Sequence, residues 1–405
     1  MIDRELYRRL SAELAEIGRT PAGWNRIAWG PREDEARSWF SHAARGLALD
    51  VLQDPAGNLW AFEPGCGAGP WDCAGSHVDT VGNGGAFDGA LGVVCALTAV
   101  AAVRRGSRQA PRPLAVACMV DEEGPRFSSA IFGSRALAGE WDLDELLERR
   151  DAEGLRLADL AATRGVTRST LEAAPGFRSR IASFVEVHIE QGRHLVDVPS
   201  ALGVATALAP RERWLCTLAG ASDHAGTTPM EGRHDALVAA ARLVLAAHEN
   251  ASAEAGAVAT VGRLDVHPGS SNVIPGEVLL SLDVRARESS RLERVREAIR
   301  ATPLGEVSAS WHLAASDAGC EFDRGLRQRL MAAASAEGTT ASDLAAYAGH
   351  DAGVLARSLP AAMLFVRNPT GISHNPAEHA DEEDCLAACA VLARMLAGAP
   401  VTSVR

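Results

Sequence analysis

Apolar residues recur at the i, i+3, i+4 spacing of a helix face over about 3–17 and again over about 32–47. The stretch 51–62 reads as extended chain broken by Pro55-Ala56-Gly57-Asn58. The pattern then predicts a short buried strand ending at His77, a helix over about 90–104, and a second buried strand over 114–120. A charged region of helices and loops over 141–180 leads into a further strand over 183–189. Continuous apolar strands separated by helices predict an α/β fold with a mostly parallel sheet.

The character changes around 204–214, where an arginine-rich strand is predicted. After it come the polar loop Ser222-Asp223-His224-Ala225-Gly226-Thr227-Thr228, an alanine-rich helix over about 233–248, strands over 257–266 and 277–286, and a helix over 288–300. Two helices against antiparallel strands predict a small α+β domain of ferredoxin-like type, residues 209–321, inserted into a larger domain made of 1–208 and 322–405. The larger domain resumes with a helix over 323–337, a strand over 361–366 and a closing helix over 380–397.

Composition narrows the function classes. A chain of 405 residues that is 47% hydrophobic can bury a sizeable core. A net charge of -12 opposes binding to nucleic acid or to an anionic membrane, so the expected partner is a small molecule. All 40 basic residues are Arg, which excludes a lysine Schiff base and a P-loop lysine. The N-terminus carries charges where a signal sequence needs an apolar run, and the eight cysteines form no CxxC pair, so reduced thiols and a cytoplasmic location are expected.

Five polar clusters stand where strand-like runs end: Ser76-His77-Val78-Asp79, Phe87-Asp88-Gly89, Asp121-Glu122-Glu123, Glu186-Val187-His188-Ile189-Glu190-Gln191 and Ser373-His374-Asn375-Pro376. His77 and Asp79 share a strand face, so one can bind a metal while the other orients it. Asp88 is either a helix cap or a carboxylate bridging two cations. Glu122 and Glu123 point apart at a strand end, so one can ligate metal while its neighbour accepts a proton. His188 and His374 supply further imidazoles. Imidazoles and carboxylates beside a free Glu are the donor set of a hydrolytic Zn or Mn site, and Co or Ni would also suit it.

With these clusters in order, the sequence resembles the amidase branch of the dinuclear zinc metallopeptidase superfamily of carboxypeptidases and aminoacylases. It is most similar to the N-carbamoyl-L-amino-acid hydrolase and allantoate amidohydrolase group. The strings that carry the likeness are GSHVDTVGNGGAFDG, DEEGPRF with GSRAL, EVHIEQG, DHAGTTPM, SSNVIPG, AGHDAG and RNPTGISHNPAEH. The resemblance implies two divalent metals per subunit, with His77, Asp88 and His188 around one and Asp88, Glu123 and His374 around the other. It makes Glu122 the general base and Asp79 the residue that orients His77. The inserted domain becomes a lid that also dimerises, and His224 a residue that stabilises the oxyanion across the dimer. Asn272 and Arg285 become a clamp for the substrate carboxylate, and Gln191 and His350 further pocket residues.

The implied reaction is hydrolysis of a linear, non-peptide C–N bond in an N-carbamoyl-L-amino acid or an allantoate-type ureido carboxylate. A dipeptidase or aminoacylase is the rival enzyme. A metal-binding regulatory protein without turnover is the rival from another class, and it expects a lost base or ligand, whereas Glu122 and all five donors are present. One departure stands before AGHDAG, where Ala346-Tyr347 replaces the small residues usual in such relatives, so that a tyrosine either narrows the pocket or adds a hydroxyl contact.

Overall fold

The computed structural model describes residues 1–106 and 110–398. The chain divides into two compact units. One is built from Met1–Thr206, Glu321–Leu344 and the described residues from Ala348 onward, and the other from Ala207–Cys320 with Ala345–Tyr347.

The first unit is organised around a nine-stranded sheet. Its strands are β1 (Asp50–Gln53), β2 (Leu59–Phe62), β3 (Trp71–His77), β4 (Leu114–Met119), β5 (Ile181–Ile189), β6 (Leu202–Leu208), β11 (Cys320–Glu321), β12 (Ala341–Ala346) and β13 (Ala361–Val366). The four central strands run parallel in the order β13-β5-β3-β4. Antiparallel strands flank them, with β2 and β1 beyond β4 and β6 beside β13. β3, β4 and β13 are buried along their whole length, which is why they read as unbroken apolar runs.

Helices α1 (Arg4–Glu16), α2 (Pro31–Gly46), α3 (Ala90–Arg105), α6 (Arg324–Ala336) and α7 (Glu382–Leu396) belong to the same unit. α1 starts where Asp3 accepts the Leu6 N–H at 3.0 Å, an N-terminal cap. α3 is buried at fourteen consecutive positions from Ala90 to Val103 and forms the centre of the core with Leu10, Phe40, Leu330 and Leu392. Each of these large side chains contributes about 2 kcal/mol by leaving water.

The second unit runs β7 (Arg211–Ala219), α4 (Ala236–Ala253), β8 (Ala257–His267), β9 (Glu277–Ala286), α5 (Ser289–Arg300) and β10 (Ser308–Asp317). The strands pair antiparallel in the order β8-β9-β7-β10, the βαββαβ arrangement of a ferredoxin-like fold. Leu218, Leu243, Val278, Leu282, Leu292 and Ile299 form its core.

Several expectations are corrected. The single strand predicted over 204–214 is two strands, because Pro210 cannot donate a ladder hydrogen bond and the chain breaks there. α4 starts later than 233, where Asp235 accepts the N–H groups of Leu237 and Val238 at 2.9 and 3.2 Å. β10 and β12 were not predicted at all. β10 is an edge strand with eight of its ten residues exposed, so it carries no alternation to read. The second unit also takes up Ala345–Tyr347, since Ala346 O accepts the Ala209 N–H at 2.8 Å and the Tyr347 hydroxyl donates to Gly256 O at 2.9 Å. Among the described residues no helix is long and apolar enough to cross a membrane.

Candidate active site

His77 is the last residue of β3, and its ring is fully buried. Nδ1 lies 3.1 Å from the carbonyl oxygen of Asp79, to which it donates its proton, so that Nε2 is the nitrogen turned into the site. Nε2 faces Asp88 Oδ1 at 3.6 Å and Glu122 Oε2 at 3.7 Å and makes no hydrogen bond. His188, near the end of β5, repeats the design: Nδ1 is 2.8 Å from Ile189 O and Nε2 is 3.1 Å from Asp88 Oδ1. Gly89 makes this approach possible, because a Cβ on it would run into the His77 ring, and its φ of +65° suits glycine in any case.

Asp88 therefore turns Oδ1 toward two imidazoles. Its other oxygen, Oδ2, lies 3.4 Å from His374 Nε2, and Glu123 Oε2 is 3.4 Å from that same nitrogen. Potential ligand atoms of His77, Asp88 and His188 lie within 4.8 Å of one another, and so do those of Asp88, Glu123 and His374. One carboxylate thus belongs to two donor groups, one through each oxygen. Nε2 of His77 and of His188, each turned toward Asp88 and able to bind a cation in place of a proton, together with the unpartnered Glu123 Oε1, fit divalent cations well.

Glu122 is buried and belongs to neither donor group, its nearest ring nitrogen being His77 Nε2. The Asp79 carboxylate accepts the backbone N–H of Glu122 at 3.3 Å and of Glu123 at 3.1 Å. It also lies 3.5 Å from His77 Nδ1, farther than its own backbone carbonyl. The Asp79 side chain thus faces both the acidic pair and the His77 ring. Asp121 turns the chain out of β4 with φ +53° and is itself held by the Trp29 indole N–H at 2.7 Å and by Ser129 Oγ.

The charge balance follows from this crowding. Burial pushes the Glu122 carboxyl well above its usual range, and Glu123, Asp351 and Glu186 push it further. Burial and then Asp88 raise Glu123 to about 7. Burial opposes charge on His77, but Glu122, Asp79 and Asp88 outweigh it and hold the imidazolium well above its ordinary value. The hydrogen bond to Asp88 lifts His374 to about 9. Burial alone would raise Asp88 as well, yet His188, His374 and His77 hold it well below the usual carboxylate range. Without cations the crowded carboxyls and imidazoles thus retain protons, which bound divalent cations would displace.

Gln191 stands at the same place, its Nε2 donating to Asp88 Oδ2 at 3.0 Å while Oε1 is buried without a partner. His350, expected among the pocket residues, is buried with its ring 4.5 Å from that of His188 and 5.7 Å from Phe365. Burial, with His188 next to it, holds this ring well below its ordinary value and so neutral. Glu186, His188 and His350 form a third close group, but Glu186 already accepts from Ser76 Oγ and from the Ala352 N–H, both at 2.8 Å. Sequence reasoning assigned no role to Ser373, which donates to Asp88 Oδ2 at 3.2 Å, or to Glu378, which accepts the Asp88 N–H at 2.9 Å. The string NPAEH was the available signal for Glu378.

The remaining candidates lie in the second unit. His224 is exposed, and its Nδ1 accepts the N–H groups of Gly226 and Thr227 at 3.0 and 3.1 Å, which leaves the proton on Nε2. Asn272 is next to it, since Asn272 O accepts the Ala225 N–H at 3.0 Å and Val273 bridges to His224. Arg285 is elsewhere: β9 pairs Glu277 with Ala219 at one end and Arg285 with Arg211 at the other. Its guanidinium binds Asp283 Oδ1 at 2.7 Å and Tyr347 O at 2.7 Å. Within one chain Asn272 and Arg285 thus lie toward opposite ends of β9. Tyr347, through this carbonyl and its hydroxyl bond to Gly256, is tied into the second unit.

A model of peptidase family M20/M25/M40 matches residues 50–398. The chain belongs to that family. It is 35% identical over 394 residues to the N-carbamoyl-L-amino acid amidohydrolase of Geobacillus stearothermophilus, covering 96% of each chain. It is 33% identical over 377 residues to the allantoate amidohydrolase of Bacillus subtilis, covering 90% of each. Among solved structures, an amidase of the hydantoinase/carbamoylase family from Burkholderia multivorans superposes with a TM-score of 0.87 at 30% identity, covering 98% of both chains. As an M20/M25/M40 member, the chain combines a mostly parallel central sheet with the donor clusters that suit divalent metals.

Proposed function

We propose that this chain hydrolyses a linear C–N bond in a ureido carboxylate, either an N-carbamoyl-L-amino acid or allantoate, using two divalent metals. The observation that carries the reading is the split of the Asp88 carboxylate, Oδ1 toward His77 and His188 and Oδ2 toward His374 and Glu123. Relatives that match over nearly the whole chain are amidohydrolases of both substrate classes, and these are the basis for the choice of bond.

In this reading His77, Asp88 and His188 hold one ion and Asp88, Glu123 and His374 the other, with Zn or Mn the leading choices and Co or Ni also suited. The ions supply Lewis acidity, lowering the pKa of water and polarising the substrate carbonyl. Glu122, buried beside both groups but in neither, takes a proton from the attacking water and passes it to the departing nitrogen. Asp79 keeps Glu122 and Glu123 in place through their backbone N–H groups. Gln191 orients Asp88 and keeps one amide oxygen for substrate.

The inserted unit acts as the recognition and dimerisation module. Arg285 anchors the substrate carboxylate with a two-point fork, and the His224 Nε2–H and Asn272 supply neutral donors. Arg285 stands eight residues along β9 from Glu277, about 27 Å at the usual strand rise, while His224 and Asn272 cluster at the Glu277 end. A homodimer in which one copy supplies Arg285 and the other His224 and Asn272 resolves that separation. Helix α4 offers a surface for it, with Val238 and Leu245 about half exposed and Val244 beside them. The free thiols of Cys73, Cys95, Cys118, Cys385 and Cys389 suit a cytoplasmic location.

The test is ammonia release from N-carbamoyl-L-amino acids and from allantoate by the purified protein, before and after chelation and after return of Zn²⁺ or Mn²⁺. Turnover that a chelator abolishes and either metal restores is expected. Absence of turnover on every ureido substrate with both metals supplied would overturn the reading.

A further inference from the structure

We infer that Glu378 is a positioning residue, which holds Asp88 so that its two oxygens face the two donor groups. The inference rests on the reading of Asp88 as a ligand shared by two cations, and it concerns what fixes that ligand.

Glu378 lies four residues after His374 in the loop between β13 and α7. The loop is tightly turned, because Asn375 O accepts the Glu378 N–H at 3.0 Å and Asn375 Oδ1 accepts the Ala377 N–H at 2.9 Å. Glu378 is 4% exposed, and its Oε1 accepts two successive backbone N–H groups, those of Phe87 and Asp88, each at 2.9 Å. The other oxygen, Oε2, is buried without a hydrogen-bond partner. Stability alone does not favour such a group, since an unpartnered buried carboxylate oxygen carries a desolvation cost.

The contacts have a geometric consequence. The loop that carries His374 grips Asp88 at three points: His374 Nε2 and Ser373 Oγ on the side-chain oxygen Oδ2, and Glu378 on the backbone N–H. Fixing N–H and Oδ2 from one loop leaves Oδ1 aimed at His77 and His188. Gly85 belongs to the device, because a Cβ there would meet the Glu378 carboxylate and displace it. Residues standing behind ligands typically change metal affinity about 10–100-fold when lost.

The experiment titrates metal-free wild type, Glu378→Ala, Glu378→Gln and Gly85→Ala with Zn²⁺ and separately with Mn²⁺, counting bound ions and measuring kcat and KM at saturating metal. Wild type is expected to take up two ions. Glu378→Ala should bind at least one of the two ions about 10–100-fold more weakly, with kcat reduced and KM within about 3-fold. Glu378→Gln keeps an acceptor for the Phe87 and Asp88 N–H groups and should lie within about 3-fold of wild type. Gly85→Ala, which leaves every ligand and Glu378 itself in the chain, should weaken the same ion as Glu378→Ala. A folded Glu378→Ala, with the circular dichroism and Tm of wild type, that binds both ions with wild-type affinity would overturn the inference. So would equal losses in Glu378→Ala and Glu378→Gln. A wild type that takes up fewer than two ions would instead overturn the two-cation reading itself, and this inference with it.

Discussion

In the first unit most of the residues assigned to chemistry are buried and clamped: His77, Asp79, Asp88, Glu122 and His188 are all under 8% exposed and backbone groups fix several of them, while Glu123 is half-buried and His374 exposed at the mouth of the group. In the second unit His224 and Asn272 are exposed on loops, and Arg285 is occupied by Asp283 and a carbonyl. The contrast matches what each task needs. Ligands and a base must be held to a fraction of an ångström, which buried ends of parallel strands provide. Recognition residues must exchange their present partners for a substrate, which exposed side chains at the ends of an antiparallel sheet allow.

The largest expected effect comes from breaking the buried region without removing a ligand. Glu122→Gln should lower kcat about 10³-fold or more while two ions remain bound, measured by turnover and metal content on the same sample. Loss of an ion in that variant would mean that Glu122 and Glu123 are assigned the wrong way round. The exposed region should fail differently. Arg285→Ala should raise KM for carboxylate substrates about 10–100-fold, corresponding to a charged hydrogen bond of about 1.5–3 kcal/mol, with little change for amide analogues. Equal effects on both substrate types would remove Arg285 from recognition.

The smallest effect concerns stability. Burial and then Glu186 raise the Asp351 carboxyl to about 8, from its ordinary value of 3.8. Between these values the folded state binds the proton more tightly than the unfolded state, so this group makes the metal-free protein less stable as pH rises from about 4 to about 8. Asp351→Asn keeps an acceptor for Ser134 Oγ, which donates to it at 2.6 Å, and should flatten that decline in thermal melts. An unchanged slope would show that Asp351 does not titrate in this range.

What the sequence made legible was whatever local patterning controls. β3, β4, β5 and β13 were readable because buried apolar runs stop abruptly at His77, Asp121, Glu190 and Arg367. The insertion was readable because apolar runs give way to an arginine-rich, amphipathic pattern after residue 204. Edge strand β10 was not, since it buries no face, and the break at Pro210 was missed although the uncharged run before it and the arginine-rich run after it differ in composition. Side-chain donors were legible as residue types, but their holders were not. That Asp79 grips the backbone of Glu122 and Glu123, or Glu378 that of Asp88, depends on loops far apart in the chain meeting. The separation of Arg285 from Asn272 is likewise a matter of strand register, which no motif records.

The central claim is that Asp88 is shared by two cations. Crystals of the protein loaded with Zn²⁺, measured at the zinc absorption edge, test it most directly. Two anomalous peaks about 3.5–4 Å apart are predicted, one beside His77 and His188, the other beside Glu123 and His374, with an oxygen of Asp88 on each. A single peak, or one lying among Glu186, His188 and His350, would contradict it.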